Sequence, residues 1–349
     1  MANEILNKSD ILFLYENIKA NPNGDPDENK PRIDPVTRHC LVTDVRIKRT
    51  VRDYLNKYKE KPIFVERREA GEAITASIRF LEEVKKAEKE KKDIKKDELI
   101  NRLFSNYIDI RLFGCTITVQ EKEKKAIKEA LKEIKDEIDS ITRPGPVQVT
   151  LAESLHKVEI ETIKGTTAFA SGEKAGTGTF STRYILPYAL IAVSGVINPI
   201  SGRKTGLAQT DIDLFLEGLW FGTLNLNTGS KNQIPKLLLK VDYNSERFNV
   251  GMLDHYLMGN LKLNNKDEKE EYIRSNKQFH IMLDDLVGNL IVKKDQIEKI
   301  YIVDDGEIEM QYKGQDKRLA VALKEAGIEN GKIEILQPID LIKEGEKKK

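Results

Sequence analysis

From Asn21 to Asp27 the chain reads Asn-Pro-Asn-Gly-Asp-Pro-Asp, and neither a helix nor a central strand can run through it. Pro22 and Pro26 fix φ and lack N–H donors, while Asn23-Gly24 readily takes the positive-φ geometry that bulkier residues resist. The segment therefore divides two elements. Before it, Ile11-Leu12-Phe13-Leu14-Tyr15 is an apolar run of strand character. After it, Thr43–Leu55 reads as a helix that Thr43 can cap, with Val45, Ile47, Val51, Tyr54 and Leu55 supplying a rough apolar side. Arg46, Lys48, Arg49 and Arg52 are left over for something acidic. A solvated helix face above a glycine hairpin accounts for these cations as well as a binding surface does.

Charge decides only locally. The net charge of +1 lacks the basic excess of a general nucleic-acid binder. That average hides segregation: Thr43–Lys59 holds six cations (Arg46, Lys48, Arg49, Arg52, Lys57, Lys59) against Asp44 and Asp53, whereas Asn264–Glu271 and Asp304–Glu309 lean acidic. A nucleic acid would meet a local groove rather than a uniformly positive surface. The 349 residues, 39% of them hydrophobic, suffice for one large core or two smaller ones. Met1–Lys8 has no signal-peptide core, and no apolar run approaches membrane-spanning length, so a cytoplasmic protein with no membrane partner is expected. Cys40 and Cys115 are too few for a disulfide framework or a cysteine-rich zinc site, and His39, His156, His255 and His280 are scattered. No metal, cofactor or catalytic constellation is expected.

Beyond the first helix, Phe80–Phe104 and Glu121–Ser140 carry the alternating charge of solvent-exposed helices. Ile127, Leu131, Ile134 and Ile138 give the second of these one face to bury. Arg143-Pro144-Gly145-Pro146 stops it, and Val147–Leu151 alternates as a half-buried strand. Ile160–Arg183 has a small-residue centre, Gly165–Gly178, and reads as a projecting hairpin or mobile loop. Leu186–Asn198 is a long buried strand. Thr210–Trp220 is a helix capped by Thr210 with Asp213 three residues on, and Ile234–Tyr243 is a strand with Pro235 at its beginning. Without the charged helices and the hairpin, the order is β-α-β-β-α-β. The expected class is α+β, ferredoxin-like and shared with RNA-recognition folds, although base-stacking aromatics are not obvious.

Two further clusters invite chemistry. Gly202-Arg203-Lys204-Thr205-Gly206 resembles a phosphate loop, but Arg203 interrupts the Gly-Lys-Thr triplet, which excludes an NTPase. As a loop it can still offer Arg203, Lys204 and backbone N–H groups to a phosphodiester. Asp25, Asp27, Glu28 and Asp34 could hold a divalent metal for RNA cleavage, although turn formation explains them more simply.

Taken in order, Asn21–Pro26, Pro31–Asp34, Val42–Arg49, Asp109-Ile110-Arg111-Leu112-Phe113-Gly114, Gly145–Gln148 and Thr205-Gly206-Leu207 closely resemble one family. It is the Cas-seven backbone subunit of CRISPR Cascade complexes, within the RAMP superfamily and in its type I-B form. The likeness runs from about Asp10 to Tyr243. The resemblance implies a modified RNA-recognition palm, an inserted helical finger region and a thumb β-hairpin. Copies would stack head to tail along a CRISPR RNA beside other Cascade subunits. Each thumb would displace a guide base, leaving the others to pair with target DNA.

Carried onto this chain, the resemblance implies RNA contacts from Asn23, Gly24, Arg38, Arg46, Lys48, Arg49, Arg52, Gln148, Arg203, Lys204, Ser230 and Lys231. The thumb would include Thr166, Thr167, Phe169 and Phe180. Lys48 and Arg52, four apart, share a helix face. The expected division is palm over 1–59, 146–159 and 184–245, finger over 60–145, thumb over 160–183, and a charged C-terminal extension over 246–349 that packs on the palm. Two other readings remain. Related type III subunits cut target RNA with a loop aspartate, for which Asp27, Asn29 and Asp34 compete, and a purely structural oligomer would leave the cationic helix unexplained.

Overall fold

The computed structural model describes residues 5–66, 75–90, 96–119, 121, 124–125, 140–166 and 180–342. The apolar run before the first turn is β1 (Ser9–Ala20), and the basic segment is α1 (Asp44–Lys59), preceded by β2 (His39–Val42). Next come α2 (Ala76–Lys89), α3 (Lys96–Asn106), α4 (Ile108–Phe113) and the ribbon of β3 (Gly114–Thr118) with β4 (Ser140–Pro144). The chain returns through β5 (Val147–Val149), β6 (Ala152–Lys157), β7 (Glu161–Thr166) and β8 (Phe180–Ile197). Helices α5 (Pro199–Thr205) and α6 (Gln209–Leu224) then lead to β9 (Gln233–Tyr243).

One sheet organises these elements. β1 lies between β8 and β9, antiparallel to both, and β6 lies on the far side of β8, giving the order β9-β1-β8-β6 with β2 at that edge. Helices α1 and α6 pack on one face. There, Ile47, Val51 and Leu55 of α1 and Ile212, Phe215 and Trp220 of α6 meet Ile11, Phe13 and Tyr15 of β1 and Ile191 and Val193 of β8. Glycine lets the helices close together: a Cβ on Gly222 would stand 3.0 Å from the Thr50 carbonyl oxygen and 3.1 Å from Tyr54 Cβ.

The other face of the sheet is covered as well. After β9 come β10 (Leu261–Leu263), β11 (Phe279–Met282), α7 (Asp284–Val292), β12 (Ile297–Asp304), β13 (Met310–Tyr312), β14 (Gln315–Asp316), α8 (Leu319–Ala326) and β15 (Ile333–Leu336). Leu253, Phe279, Leu286 and Leu319 from this part form a second core with Leu12, Leu14, Leu190 and Val241. β12 pairs with β9 and β15 pairs with β12, so the C-terminal part extends the sheet rather than merely packing on it. Both faces of β1 are therefore buried, which explains its unbroken apolar run. A third core, built from Phe64, Phe80, Leu99, Leu103, Tyr107 and Ile141, belongs to the segment between α1 and β5 where the helical insertion is expected.

Several local expectations need correction. Val45 is 67% exposed, so it does not belong to the apolar side of α1. α6 begins at Gln209 rather than Thr210, and Asp211 caps it by accepting from the Ala208 N–H at 3.1 Å. Residues 140–144 already form a strand, so no helix runs to Ser140, and the apolar positions Ile127, Leu131, Ile134 and Ile138 lie outside the described residues. Pro235 is the third residue of β9. It sits where the register against β1 shifts between Leu14 and Tyr15, a bulge at which a missing donor is tolerated. Gly202–Thr205 belongs to α5, not a loop. Gly206 caps that helix at φ 74°, and its N–H is bonded to the Gly202 carbonyl.

Candidate nucleic-acid interface

The first turn is held by its own side chains. Asn23 Oδ1 accepts from both the N–H and the hydroxyl of Thr43, each at 2.9 Å, and Thr43 Oγ1 caps α1 by accepting from Arg46 N at 3.3 Å. Asn21 Nδ2 donates to the Asn29 carbonyl at 2.6 Å. Gly24 is not there for φ: the positive φ belongs to Asn29, at 55°, and a Cβ on Gly24 would stand 1.9 Å from Asn29 Oδ1, so the Asn29 side chain would have to move. Asn23 and Gly24 thus act first as architecture.

A second turn docks on this platform. The Ser230 carbonyl accepts from Asn21 N at 3.1 Å, and Lys231 Nζ donates to the carbonyls of Asn21 and of Pro22, the latter at 3.0 Å. Beside it, Arg46 is half-buried. Its Nη2 donates to Thr50 Oγ1 at 3.1 Å, while its Nε is buried without a hydrogen-bond partner. Among the described residues neither cation has a carboxylate within ion-pair distance. Burial pushes Lys231 down to about 8, with the Arg46 charge adding to the effect, and burial also lowers Arg46. Two like charges held half-dry, with the Asp53 carboxylate acting on Arg46 only from beyond ion-pair distance, form a site that an anion would stabilise.

Further cations rim the same turns. Arg183 Nη1 donates to the Gly229 carbonyl at 3.2 Å, Lys30 Nζ lies 4.9 Å from the Tyr184 ring centroid, and Arg38 is exposed at φ 67°. Sequence reasoning missed Lys30, Arg183 and Tyr184. Their only signal was membership of the segments flanking the turn and the hairpin.

The neighbouring carboxylates are engaged by their own turns. Asp25 Oδ1 accepts from Glu28 N at 2.8 Å and Asp27 N at 3.1 Å, and Asp34 Oδ1 accepts from Thr37 N at 2.7 Å and Val36 N at 2.8 Å. These backbone bonds, Glu28 first for Asp25 and Thr37 first for Asp34, hold both carboxyls below the usual range. Glu28 pairs with Lys30. Among the described residues no group of three or more His, Cys, Asp or Glu is placed to hold a metal ion.

The other expected site residues fall elsewhere. Lys48 and Arg52 do share a face, but that face turns inward. Arg52 Nε donates to the fully buried Asp109 at 3.0 Å, and both cations lie over Phe113, at 5.9 Å for Lys48 and 5.0 Å for Arg52. Asp109 also accepts from Phe64 N at 2.8 Å and Val65 N at 3.1 Å, so Arg52 joins α1 to the insertion and is not a free phosphate contact. Lys48, 14% exposed, pairs with Asp44 at 2.8 Å, whereas Arg49 pairs with Asp53 at 2.7 Å with both groups exposed enough to leave that pair displaceable. Gln148 Nε2 donates to the Gly145 carbonyl at 2.6 Å. Arg203 pairs with Glu246 at 2.7 Å, and the Lys204 carbonyl accepts from Arg143 at 2.8 Å, which puts Arg203 and Lys204 at the end of α5. The backbone N–H groups expected of that segment are taken by the helix and its cap. Thr166 and Phe180 pair across β7 and β8, whereas Thr167 and Phe169 lie outside the described residues.

With both sheet faces covered, bases cannot stack on the sheet as they do in an RNA-recognition motif. Fold and site together define an α+β protein, covered on both sides of one sheet, with a half-buried cation pair between two turns that has no ion-pair partner among the described residues. The chain belongs to the family described as CRISPR-associated protein Cas7, whose sequence profile matches residues 7–284. It is 27% identical, over 96% of its length and 99% of the relative's, to the CRISPR-associated protein Cas7 of Haloferax volcanii. Among solved structures, a chain of a "CRISPR RNA-guided surveillance complex, pre-nicking" is similar in fold. It has a TM-score of 0.50 and 13% identity, with 91% of this chain and 99% of that one covered. No helix among the described residues is long and apolar enough to cross a membrane.

Proposed function

We propose that this chain is a CRISPR RNA-binding backbone subunit of a type I-B Cascade surveillance complex. It polymerises head to tail along the guide beside other Cascade subunits, and it presents the guide for pairing with target DNA. The observation that carries the reading is the half-buried pair Arg46 and Lys231, which among the described residues has no carboxylate within ion-pair distance and sits at the N-terminus of α1, where the helix dipole also favours an anion. Family membership supplies the nucleic acid.

The parts follow. The sheet order β9-β1-β8-β6 with α1 and α6 on one face supports the palm, and the separate core around Phe80 and Leu103 supports the finger. β8 runs beyond the sheet to pair with β7 over Glu161–Thr166, which supports the thumb. Phosphates would meet Arg46, Lys231 and, after release of its surface ion pair, Arg49, with Arg38, Lys30 and Arg183 along the same edge. Contacts to phosphate rather than to base edges leave sequence reading to the guide. Commitment of Asp25 and Asp34 to their turns supports a binding role, and Asp27 remains a carboxylate by which the ribonuclease alternative is tested.

Co-expression with a CRISPR transcript tests this. The purified chain should carry guide RNA in assemblies whose masses rise in equal steps, and ribonuclease should collapse them. Recovery of a monomer free of RNA would overturn the reading. Periodic cutting of complementary RNA that is lost in Asp27→Ala or Asp34→Ala would replace it with the ribonuclease.

A further inference from the structure

We propose that the cleft between the C-terminal halves of α1 and α6 is a nucleobase-stacking site. It would take one base of the RNA whose phosphates meet Arg46 and Lys231. The inference rests on the RNA-binding reading and names a subsite within it. The cleft measures about 270 Å³, and its lining includes Thr50, Tyr54, Tyr58, Asn225, Asn227 and Thr228.

The aromatic wall is preorganised. Tyr54 and Tyr58 stack with ring centroids 5.1 Å apart and planes inclined by 26°. Tyr54 is buried and fixed by donating its hydroxyl to Glu217 Oε1 at 2.7 Å, whereas Tyr58 is 48% exposed. Buttressing one ring and presenting the next costs a base little ordering when it stacks. Lys57, on an exposed stem, holds its ammonium 5.3 Å from the Tyr58 centroid. An entering base takes that place, and the freed ammonium can follow the phosphate. Asn225, Asn227 and Thr228 line the same cleft; Asn225 Nδ2 donates to the Phe221 carbonyl at 2.8 Å and Thr228 Oγ1 accepts from Ser230 N at 3.3 Å, so a base edge would draw on the Asn227 amide and on the polar capacity these bonds leave.

Continuity with the cation pair ties the cleft to RNA. Thr50, on one wall, is the group to which Arg46 Nη2 donates at 3.1 Å. Thr228, on the other, exchanges backbone hydrogen bonds with Lys231 across the turn, at 2.8 and 3.2 Å. Each residue of the cation pair is therefore bonded to a residue that lines the cleft, Arg46 to Thr50 and Lys231 to Thr228. Stacking tolerates any base, as a site on a guide of arbitrary sequence must.

The test titrates the full-length chain with single-stranded RNAs carrying one 2-aminopurine or one abasic position, moved stepwise along the oligonucleotide. At the occupied position 2-aminopurine fluorescence should be quenched, and loss of the base should weaken binding about tenfold. Tyr58→Ala and Tyr58→Leu, the latter keeping apolar bulk without a π face, should abolish both effects and weaken intact RNA about tenfold. Tyr58→Phe should preserve both, and the salt slope should not change in any of the three. If both the Ala and Leu variants bind intact RNA as the parent does while Arg46→Ala with Lys231→Met weakens it, the subsite is wrong and the RNA-binding reading stands. If none of these variants changes RNA binding, that reading itself fails.

Discussion

Arg46 and Arg52 belong to the same helix, and the packing treats them in opposite ways. Arg52 is 12% exposed and paired with the buried Asp109, its guanidinium over Phe113 and its partner tied to the backbone of residues 64 and 65. Arg46 is half-buried too, but among the described residues it has no ion-pair partner, its Nε is unpartnered and its charge lowers Lys231. Burial has therefore made one arginine a structural link and left the other short of an anion. Sequence position does not separate these roles. What separates them is the element that packs opposite each face of α1: the insertion opposite Arg52, the two turns opposite Arg46.

The largest effect should come from breaking the structural side. Arg52→Ala leaves Asp109 buried and uncompensated and should destabilise the protein by about 3–5 kcal/mol in urea unfolding, with the salt dependence of RNA binding unchanged. A normal unfolding midpoint together with a shallower salt slope would reverse the assignment of the two arginines. Next comes Gly114→Ala, directly after the Phe113 ring. Gly114 has φ 71°, and an added Cβ would stand 2.3 Å from the Arg143 carbonyl oxygen, which is backbone and cannot swing aside. A loss of about 2–3 kcal/mol is expected by the same measurement, again with RNA affinity per folded molecule retained.

The binding side should respond in the opposite sense. Arg46→Ala with Lys231→Met should lower the log–log salt slope of guide-RNA binding by about 0.7 for each phosphate that is no longer neutralised, with unfolding affected far less than in Arg52→Ala. Filter binding across a salt series measures the slope, and an unchanged value in a folded protein removes the pair from the interface.

The smallest effect is the pH dependence of Lys231, whose free-state value is pushed down to about 8 by burial and then by Arg46. A phosphate would raise that value, so RNA binding takes up a proton. Affinity should be fully present below pH 8 and should fall several-fold as pH rises through the free-state value toward the bound one. Lys231→Arg should flatten the profile between pH 7 and 9. If the same fall persists in that variant, another group is titrating.

The folded structure shows why some of this was legible in the sequence and some was not. Thr43 is the cap of α1 because a hydroxyl just before an apolar-periodic run has few other local uses. The long strand through Leu186–Ile197 was legible because a strand buried on both faces needs an unbroken apolar run. The shared face of Lys48 and Arg52 followed from helical spacing alone, but spacing could not say what that face meets. Asp109, far along the chain, supplied the answer only after the insertion folded back. The same limit hid the second core: residues 246–342 read as charged, yet their apolar positions close the sheet face that an RNA-recognition fold leaves open.

Local chemistry, then, determined where the chain turns, which segments are helix or strand, and that cations gather on α1, because caps, prolines and periodicity act over a few residues. Tertiary structure alone decided which cations are neutralised and which are not. Ion pairing and desolvation depend on distances between residues remote in sequence. Lys231 feels the charge of Arg46 because the Thr228–Lys231 turn docks on Asn21 and Pro22.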